Sequence, residues 1–284
     1  MSCKFHLDSH ADNYAVVGNP VEHSKSPFIH KAFADQTGQL ISYQAILVEL
    51  DGFKACLGEF QKQGGKGLNV TLPFKEDAWQ SVDHLSARAE RSGSVNTIRF
   101  SQEGGSYGDT TDGCGLLRDL ANHDISLVNR RVLVLGAGGA VRGVLPDLLM
   151  ANPGLITIVN RTVTRAEELV GRYAEHSNLD YLPVEKLEGR QFDIIINGTS
   201  ASLSGQMLEL PDNIITGRSV CYDMAYRDTD TVFVRWAKSN SAQLALDGLG
   251  MLVEQAAESF YVWRGVRPDT KRVIEMLRSE KSGV

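Results

Sequence analysis

The first 110 residues alternate short apolar segments with segments of helical periodicity. Strands are predicted at Tyr14–Val17, Ser42–Val48, Gly67–Thr71 and residues 95–100. The helical pattern runs from Phe28 to about Thr37 and returns over residues 53–61, between the strands. Strands that alternate with helices predict an α/β sheet for this part of the chain.

A different pattern follows, beginning with an unbroken apolar run. Val132–Leu135 is typical of a parallel strand buried on both faces, and the small residues that end it are Gly136, Ala137, Gly138, Gly139 and Ala140. Small residues let backbone N–H groups approach a pyrophosphate, and the helix that starts there adds the positive end of its dipole. Val141 stands where a third glycine is usual, so the dinucleotide-binding motif is incomplete.

The next apolar strand, Leu155–Val159, ends in a cationic tip. Asn160, Arg161 and Thr162 follow the strand, Arg165 lies just beyond, and no Asp or Glu occurs between Leu155 and Arg165. In this type of unit an acidic residue at the second strand tip binds the ribose 2′-hydroxyl of NAD, whereas arginine accommodates the 2′-phosphate of NADP. The tip therefore favours NADP over NAD, because guanidinium groups bind phosphate through paired donors.

Strands are also predicted at residues 192–196, 220–224 and 244–246, which continues a doubly wound pattern. The tips of the strands, which we expect to share one crevice, are Gly136, Asn160, Asn197, Met224 and Asp247. We expect two domains: a catalytic and substrate-binding α/β domain over residues 1–115 and a Rossmann-type domain over residues 116–251. The helices within residues 252–284 are expected to pack back on the first domain.

Composition narrows the classes of partner. The chain has 284 residues, 42% hydrophobic and 23% charged, and a net charge of −6, which argues against nucleic acid or an anionic membrane. No apolar segment approaches the ~20 residues that a bilayer requires. The four cysteines are scattered without metal-ligand spacing, so we expect reduced thiols and no metal. Residues 1–13 are expected to be a frayed lead-in to the first strand. The protein is expected to be cytoplasmic.

Several polar residues of the first part stand out beside predicted helix starts. Ser26 precedes Pro27, as a helix N-cap residue would. Capping does not account for Ser24, whose hydroxyl beside the helix start can bind a small carboxylate. Lys75 lies in a first helical turn, where the helix dipole disfavours a cation, which points to a function. For Asp112 the spacing supports a helix cap and a catalytic role equally.

Eight ordered blocks resemble the shikimate dehydrogenase family, the NADP-dependent enzymes of aromatic amino-acid biosynthesis, from Tyr14 to about Pro268. The blocks are Gly18–Pro27, Asn69–Lys75, Ser94–Thr97, Thr111–Gly113, Gly136–Gly139, Asn160–Thr162, Tyr222–Met224 and Gly248–Val253 with Gln255. The resemblance implies a two-domain α/β fold and the reversible reduction of 3-dehydroshikimate with NADPH.

The resemblance also implies roles for individual residues. Lys75 and Asp112 match the catalytic pair. The serines that match the shikimate carboxylate site are Ser24 and Ser26; the residues that match the remaining substrate contacts are Thr71, Asn96, Asp112, Tyr226 and Gln255. Met224 and Gly248 match the nicotinamide side.

Two positions depart from the family pattern. Thr110 replaces the asparagine of the usual N-T-D-G block, next to the implied catalytic aspartate, and Ala225 stands where a bulkier residue is common. Neither change removes a group that does chemistry, but the first alters the loop that holds Asp112.

Three functions are therefore compared. The first is an NADP-dependent shikimate dehydrogenase, a monomer or homodimer that closes a cleft on a small-molecule substrate. The second is a quinate/shikimate dehydrogenase of broader range, which the arginine tip disfavours. The third is a non-catalytic dinucleotide sensor, which the retained Lys75 and Asp112 disfavour.

Overall fold

The computed structural model describes residues 3–199, 201–202 and 205–281. The chain divides into two compact units. Unit 1 consists of the chain up to Gly115 together with Val253–Glu280, and unit 2 consists of Leu116–Leu252. The predicted lead-in at residues 1–13 and the predicted C-terminal segment 252–284 include residues 1–2 and 282–284, which lie outside the described residues.

The regular elements alternate along most of the chain. The elements up to the first segment of unit 2 are β1 (Asp12–Gly18), α1 (Ser26–Thr37), β2 (Ile41–Leu47), α2 (Phe53–Lys62), β3 (Gly67–Val70), α3 (Lys75–Ser81), β4 (His84–Leu85), α4 (Ala87–Ser92), β5 (Thr97–Phe100), β6 (Ser106–Asp109) and α5 (Asp112–Asn122). The later elements are β7 (Arg131–Leu135), α6 (Gly139–Met150), β8 (Leu155–Val159), α7 (Val163–Gly171), β9 (Leu179–Tyr181), β10 (Ile194–Asn197), β11 (Val220–Asp223), α8 (Val232–Ser239), β12 (Leu244–Leu246), α9 (Leu249–Arg264) and α10 (Lys271–Lys281).

Unit 1 is built on a mixed sheet with the strand order β2-β1-β3-β5-β6-β4. β1 pairs in parallel with β2 and β3, whereas β5 is antiparallel to β3 and β6. The strand predicted at residues 95–100 begins only at Thr97, which leaves Asn96 at its entrance. The backbone N–H of Asn96 donates to the Asp109 carbonyl, so the entrance of β5 and the end of β6 lie side by side.

The N-terminal segment belongs to the core of unit 1, so the prediction of a frayed lead-in is wrong for the described residues. Cys3, Phe5 and Leu7 alternate toward the core, and the Phe5 ring lies edge-on to Phe60 at 5.2 Å. Cys3 forms a disulfide with Cys56 of α2, which corrects the expectation that all four cysteines are reduced. A spacing of 53 residues gives no local sign of this pairing, because only the folded chain brings the two thiols together.

Unit 2 is a doubly wound sheet in which every pairing is parallel, with the order β12-β11-β10-β7-β8-β9. Val132 and Val134 of β7 pack into one helical layer, while Leu133 and Leu135 pack into the other. Burial on both faces explains the unbroken apolar run in β7. The sequence prediction of an α/β protein with a Rossmann-type unit is confirmed.

The strand order reverses between β7 and β10, since the chain leaves β7 toward β8 and later returns on the other side. Ligands of open α/β sheets bind outside the carboxyl ends of the strands at such a point. None of the described helices is long and apolar enough to cross a membrane.

Candidate active site

The centre of the candidate site in unit 1 is an ion pair between two helix starts. Lys75 is the first residue of α3 and Asp112 the first of α5, and Lys75 Nζ lies 2.5 Å from Asp112 Oδ2. Both side chains are mostly buried, with 17% and 9% of their surface exposed. α5 begins four residues before the predicted start at Leu116. The sequence pattern does not indicate this early start, because the first turn contains Gly113 and Gly115, which are poor helix formers.

Asn96 bridges the ion pair to the end of β6. Its Oδ1 accepts the backbone N–H of Thr111 at 2.9 Å, which leaves Nδ2 to donate to Asp112 Oδ1 at 2.9 Å. The orientation of the amide is fixed, because a backbone N–H can only donate. Asp112 therefore accepts Lys75 on one carboxylate oxygen and Asn96 on the other.

Helix α9 brings Gln255 to the same place. Its Oε1 lies 3.3 Å from both Asn96 Nδ2 and Thr111 Oγ1. Lys75, Asn96, Asp112 and Gln255, which come from four separate parts of the sequence, are thus brought together in unit 1. This arrangement offers a cation, a carboxylate and two amides to a polar ligand.

Ser24 and Ser26 lie at the start of α1. The expected role of Ser26 as the helix N-cap is wrong. The cap position is Lys25, and Ser26, now the first helical residue, makes no capping bond. Ser26 is buried and hydrogen-bonds to Tyr43, while Ser24 is half-buried and accepts the Ser26 backbone N–H at 3.3 Å. Thr71 follows β3 directly and its N–H donates to the Val17 carbonyl.

The segment before Asp112 is anchored by Asp109. Its carboxylate accepts two bonds of 2.7 Å from Arg88, one from Ser86 and one from the backbone N–H of Thr110. The pKa of Arg88 is raised because the neighbouring carboxylates of Asp109 and Glu258 outweigh the effect of burial. Thr110, the departure from the family pattern, is fully buried without a hydrogen-bond partner for its hydroxyl among the described residues.

The glycine turn of unit 2 presents an open backbone. Gly136 has a φ of 111°, a conformation that glycine adopts without strain, and it packs against Gly198 after β10. A Cβ at Gly138 or Gly139 would meet nothing within 4 Å, so this side of the turn is open to a ligand. α6 starts at Gly139 and has no acidic residue in its first turn. The turn therefore fits a pyrophosphate at a helix N-terminus.

The tip of β8 carries the predicted cations. Asn160 Nδ2 donates to the Thr162 carbonyl at 2.8 Å, and Thr162 stands at the N-cap of α7. Arg161 and Arg165 are exposed, and within the described part of the chain neither guanidinium takes part in an ion pair. Binding of a ligand phosphate by these two guanidinium groups stays a prediction.

Met224 and Gly248 meet at the ends of β11 and β12. A Cβ on Gly248 would lie 2.2 Å from the Met224 carbonyl oxygen, so only glycine allows this backbone contact. Asp223 holds the loop by accepting Thr231 Oγ1 at 2.6 Å and the Ala225 N–H at 3.1 Å; burial raises the pKa of Asp223. Tyr226 follows on this loop, half-buried, and burial raises its pKa.

Two of the polar side chains that pack beneath Asn96, Tyr43 and Ser259, were not singled out from the sequence, whereas Asn69 belongs to one of the blocks that resemble the family. Asn69 Nδ2 donates to the Asn96 carbonyl at 3.1 Å and to Ser259 Oγ at 3.0 Å, and Tyr43 donates to Asn69 Oδ1 at 2.7 Å. The available signal was a polar residue inside an apolar run, which holds for Asn69 between Leu68 and Val70; Ser259 follows Glu258 and gave no such signal. Among the described residues there is no cluster of three or more His, Cys, Asp or Glu that could hold a metal ion.

The chain combines a doubly wound unit, which has an open glycine turn and a cationic strand tip, with a unit that contains a buried lysine–aspartate pair. This combination defines a nicotinamide-nucleotide oxidoreductase. Sequence profiles of three family domains match the chain: the shikimate dehydrogenase substrate binding domain over residues 16–98, shikimate/quinate 5-dehydrogenase over 119–210 and the shikimate 5′-dehydrogenase C-terminal domain over 248–278. The chain belongs to the shikimate dehydrogenase family.

Individual relatives match over nearly their whole length. A protein of Alkalilimnicola ehrlichii named shikimate dehydrogenase (NADP(+)) is 56% identical over 95% of this chain and 99% of its own. The crystal structure of an Ael1 enzyme from Pseudomonas putida is 46% identical, with a TM-score of 0.89 over 94% of this chain and 98% of that one. Shikimate 5-dehydrogenase from Thermus thermophilus, solved with NADP(H) and shikimate, is 33% identical, with a TM-score of 0.85 over 94% and 99%.

Proposed function

We propose that this protein catalyses the reversible NADPH-dependent reduction of 3-dehydroshikimate to shikimate, in the biosynthesis of chorismate and the aromatic amino acids. The observation that carries the proposal is the buried Lys75–Asp112 pair, with Asn96 bonded to the second carboxylate oxygen. A pair of this kind places a proton donor beside an anion that orients it, which is what the reduction of a ring ketone needs.

Lys75 donates its ammonium proton to the carbonyl oxygen as that oxygen gains negative charge, and its charge also stabilises the developing alkoxide. Bound NADPH supplies a hydride to the carbonyl carbon, so that one hydride and one proton convert the ketone to a secondary alcohol. Asp112 holds the lysine in place through its 2.5 Å contact and accepts a ring hydroxyl of the substrate. In the reverse direction Lys75 takes the hydroxyl proton.

The other substrate contacts follow from side-chain chemistry. Ser24 and Ser26 at the start of α1 hold the substrate carboxylate with hydroxyl donors. Thr71, Asn96, Tyr226 and Gln255 hold the ring hydroxyls and the remaining carboxylate contacts. In this proposal residues 1–115 and 252–284 form the substrate domain.

Residues 116–251 form the NADP domain. The turn from Gly136 to Ala140 binds the pyrophosphate, and Asn160, Arg161, Thr162 and Arg165 bind the adenosine with its 2′-phosphate. Met224 and Gly248 line the nicotinamide end. We also propose a cytoplasmic location from the proposed biosynthetic function, since the Cys3–Cys56 disulfide removes the argument from reduced thiols. Cell fractionation tests this location, and sedimentation tests the proposed monomeric or homodimeric state.

The first measurement is the absorbance of reduced nicotinamide with shikimate or quinate against NADP or NAD. Turnover with shikimate and NADP alone supports the proposal. Comparable rates with quinate or NAD support the broad-range relative, and tight NADP binding without any turnover supports a sensor.

The matched test of the mechanism compares Lys75→Ala with Lys54→Ala, an exposed lysine in the first turn of α2. We expect Lys75→Ala to lower kcat by about 10²- to 10⁴-fold while NADP still binds, because it removes the general acid. Lys54→Ala should leave kcat unchanged. Wild-type kcat in Lys75→Ala would contradict the mechanism.

A further inference from the structure

Three hydroxyl groups meet beneath Asn96 in unit 1, and we call Thr97, Thr111 and Ser259 the hydroxyl cluster. Ser259 Oγ lies 2.7 Å from Thr97 Oγ1 and 3.2 Å from Thr111 Oγ1. All three residues are fully buried. Ser259 comes from α9, Thr97 from β5 and Thr111 from the turn before α5, so the cluster joins three separate parts of the fold.

A serine at this position is not explained by packing. Its neighbours in α9, Ala256, Ala257 and Phe260, are fully buried apolar residues, and alanine is the better helix former. The Ser259 hydroxyl donates to the Gln255 carbonyl one turn earlier at 3.0 Å, which would satisfy its proton locally. That bond leaves the two lone pairs of the oxygen unused.

The lone pairs are used by groups on other elements. Asn69 Nδ2 donates to Ser259 Oγ at 3.0 Å, and the Thr111 hydroxyl, which accepts Asn96 Nδ2 at 2.9 Å, donates to Ser259 Oγ at 3.2 Å. The Thr97 hydroxyl donates to Asn96 Oδ1 at 2.9 Å, so in its 2.7 Å contact with Ser259 it accepts a proton that Ser259 shares with the Gln255 carbonyl. Ser259 is therefore bonded, through one hydroxyl on each side, to the amide that donates to Asp112.

The same hydroxyl determines where Gln255 lies. Gln255 and Ser259 are one helical turn apart on the same face of α9. The Gln255 side chain reaches Asn96 and Thr111 at 3.3 Å, distances at the long end for a hydrogen bond, so a small slide of α9 would break them. The apolar neighbours of Ser259 form no directional bonds, so its hydroxyl supplies the directional contacts of this part of α9.

We propose that Ser259 is a positioning residue for the reaction: its hydroxyl fixes α9 along its axis and so sets the Gln255 and Asn96 amides at the Lys75–Asp112 pair. This inference rests on the proposed function. Ser259 does not touch the reacting atoms, and it acts through Asn96 and Gln255.

Steady-state kinetics of shikimate oxidation by Ser259→Ala test the inference. We expect the KM for shikimate to rise at least fivefold and kcat to fall several-fold, while the KM for NADP stays within twofold, since the NADP residues belong to unit 2. A role in folding alone would lower stability and leave the KM for shikimate unchanged. Ser94→Ala is the matched control, because Ser94 is buried in the same unit and its hydroxyl has no partner among the described residues.

Thr97 supplies a second pair of variants in case Ser259→Ala does not fold. Thr97→Val removes the hydroxyl and keeps the shape, whereas Thr97→Ser keeps the hydroxyl. We expect Thr97→Val to raise the KM for shikimate and Thr97→Ser to restore it. Unchanged kinetics in Ser259→Ala, or the same change in Ser94→Ala, would overturn the inference alone. A wild-type protein that does not oxidise shikimate would overturn the proposed function and this inference with it.

Discussion

Removing the Arg88 guanidinium should destabilise unit 1 far more than removing an exposed cation. Arg88 makes two of the four hydrogen bonds to the Asp109 carboxylate and one of 3.2 Å to Glu258. The Asp109 side chain is 6% exposed and that of Glu258 10%. Arg88→Met keeps most of the side-chain length but leaves the Asp109 charge buried with only Ser86 and the Thr110 N–H.

The expected loss of stability in Arg88→Met follows from the contacts that Asp109 and Glu258 keep in this variant. Breaking one partner of a buried pair costs about 3–5 kcal/mol, and we expect about 3 kcal/mol here. The low end applies because the Arg88 side chain is one-fifth exposed and because Arg267 still pairs with Glu258. The matched control is Lys31→Met, since Lys31 and Asp35 are highly exposed and such pairs contribute at most about 0.5 kcal/mol.

Urea unfolding at neutral pH measures the free energies of unfolding of Arg88→Met and of its control Lys31→Met. The double variant Arg88→Met/Asp109→Asn should recover part of the loss, because the amide no longer leaves a buried charge. We also expect kcat of Arg88→Met to fall, since Asp109 holds the segment that leads to Asp112. A loss no larger than that of Lys31→Met, or a double variant less stable than the single one, would refute the reasoning.

Three further predictions concern other residues. Burial lowers the pKa of His30 from 6.5 to about 3. Between these two pH values only the unfolded state takes up this proton, so the free energy of unfolding decreases as the pH falls, by about 2 kcal/mol at pH 5. Urea unfolding of His30→Phe should show a correspondingly weaker pH dependence. Arg161→Ala or Arg165→Ala should raise the KM for NADP about tenfold or more while changing that for NAD less than twofold; equal changes would contradict 2′-phosphate binding. Gly248→Ala should lower kcat at least tenfold, because its Cβ would collide with the Met224 backbone at the proposed nicotinamide end; an unchanged kcat would contradict this.

The parts of the fold that sequence predicts well are those fixed by local pattern. β7, the glycine turn and β8 follow from apolar runs and small residues within 30 positions, and the structure confirms them. The two-residue strand β4 lies below the length at which periodicity is visible. β9 is as short as the predicted β12, but β12 is wholly apolar whereas β9 contains the charged Asp180. The early start of α5 was missed because the tertiary contacts of Asp112 outweigh the poor helix propensity of two glycines.

The candidate site also has features that local sequence pattern predicts and features that it does not. The position of Lys75 in a first helical turn was a local sign of function. Its contact with Asp112, 37 residues away, and the bond between Asn69 and Ser259, 190 residues apart, exist only after β3, β5 and α9 have packed. The resemblance to a family supplied the first contact, and no pattern in the sequence indicated the second.

The two units present their candidate sites in physically different forms, and this determines how substitutions combine. In unit 1 the groups are buried and bonded to one another, from Lys75 through Asp112 and Asn96 to Ser259, so the orientation of each depends on the next. Changes there should be strongly non-additive, since residues in one hydrogen-bond network share interaction energy. In unit 2 the glycine turn offers open backbone, and Arg161 and Arg165 are exposed, so each contributes to a ligand separately. Under the proposed function, substrate recognition is preorganised at the cost of sensitivity to distant residues such as Ser259, whereas we expect that the choice of nucleotide can be altered one side chain at a time.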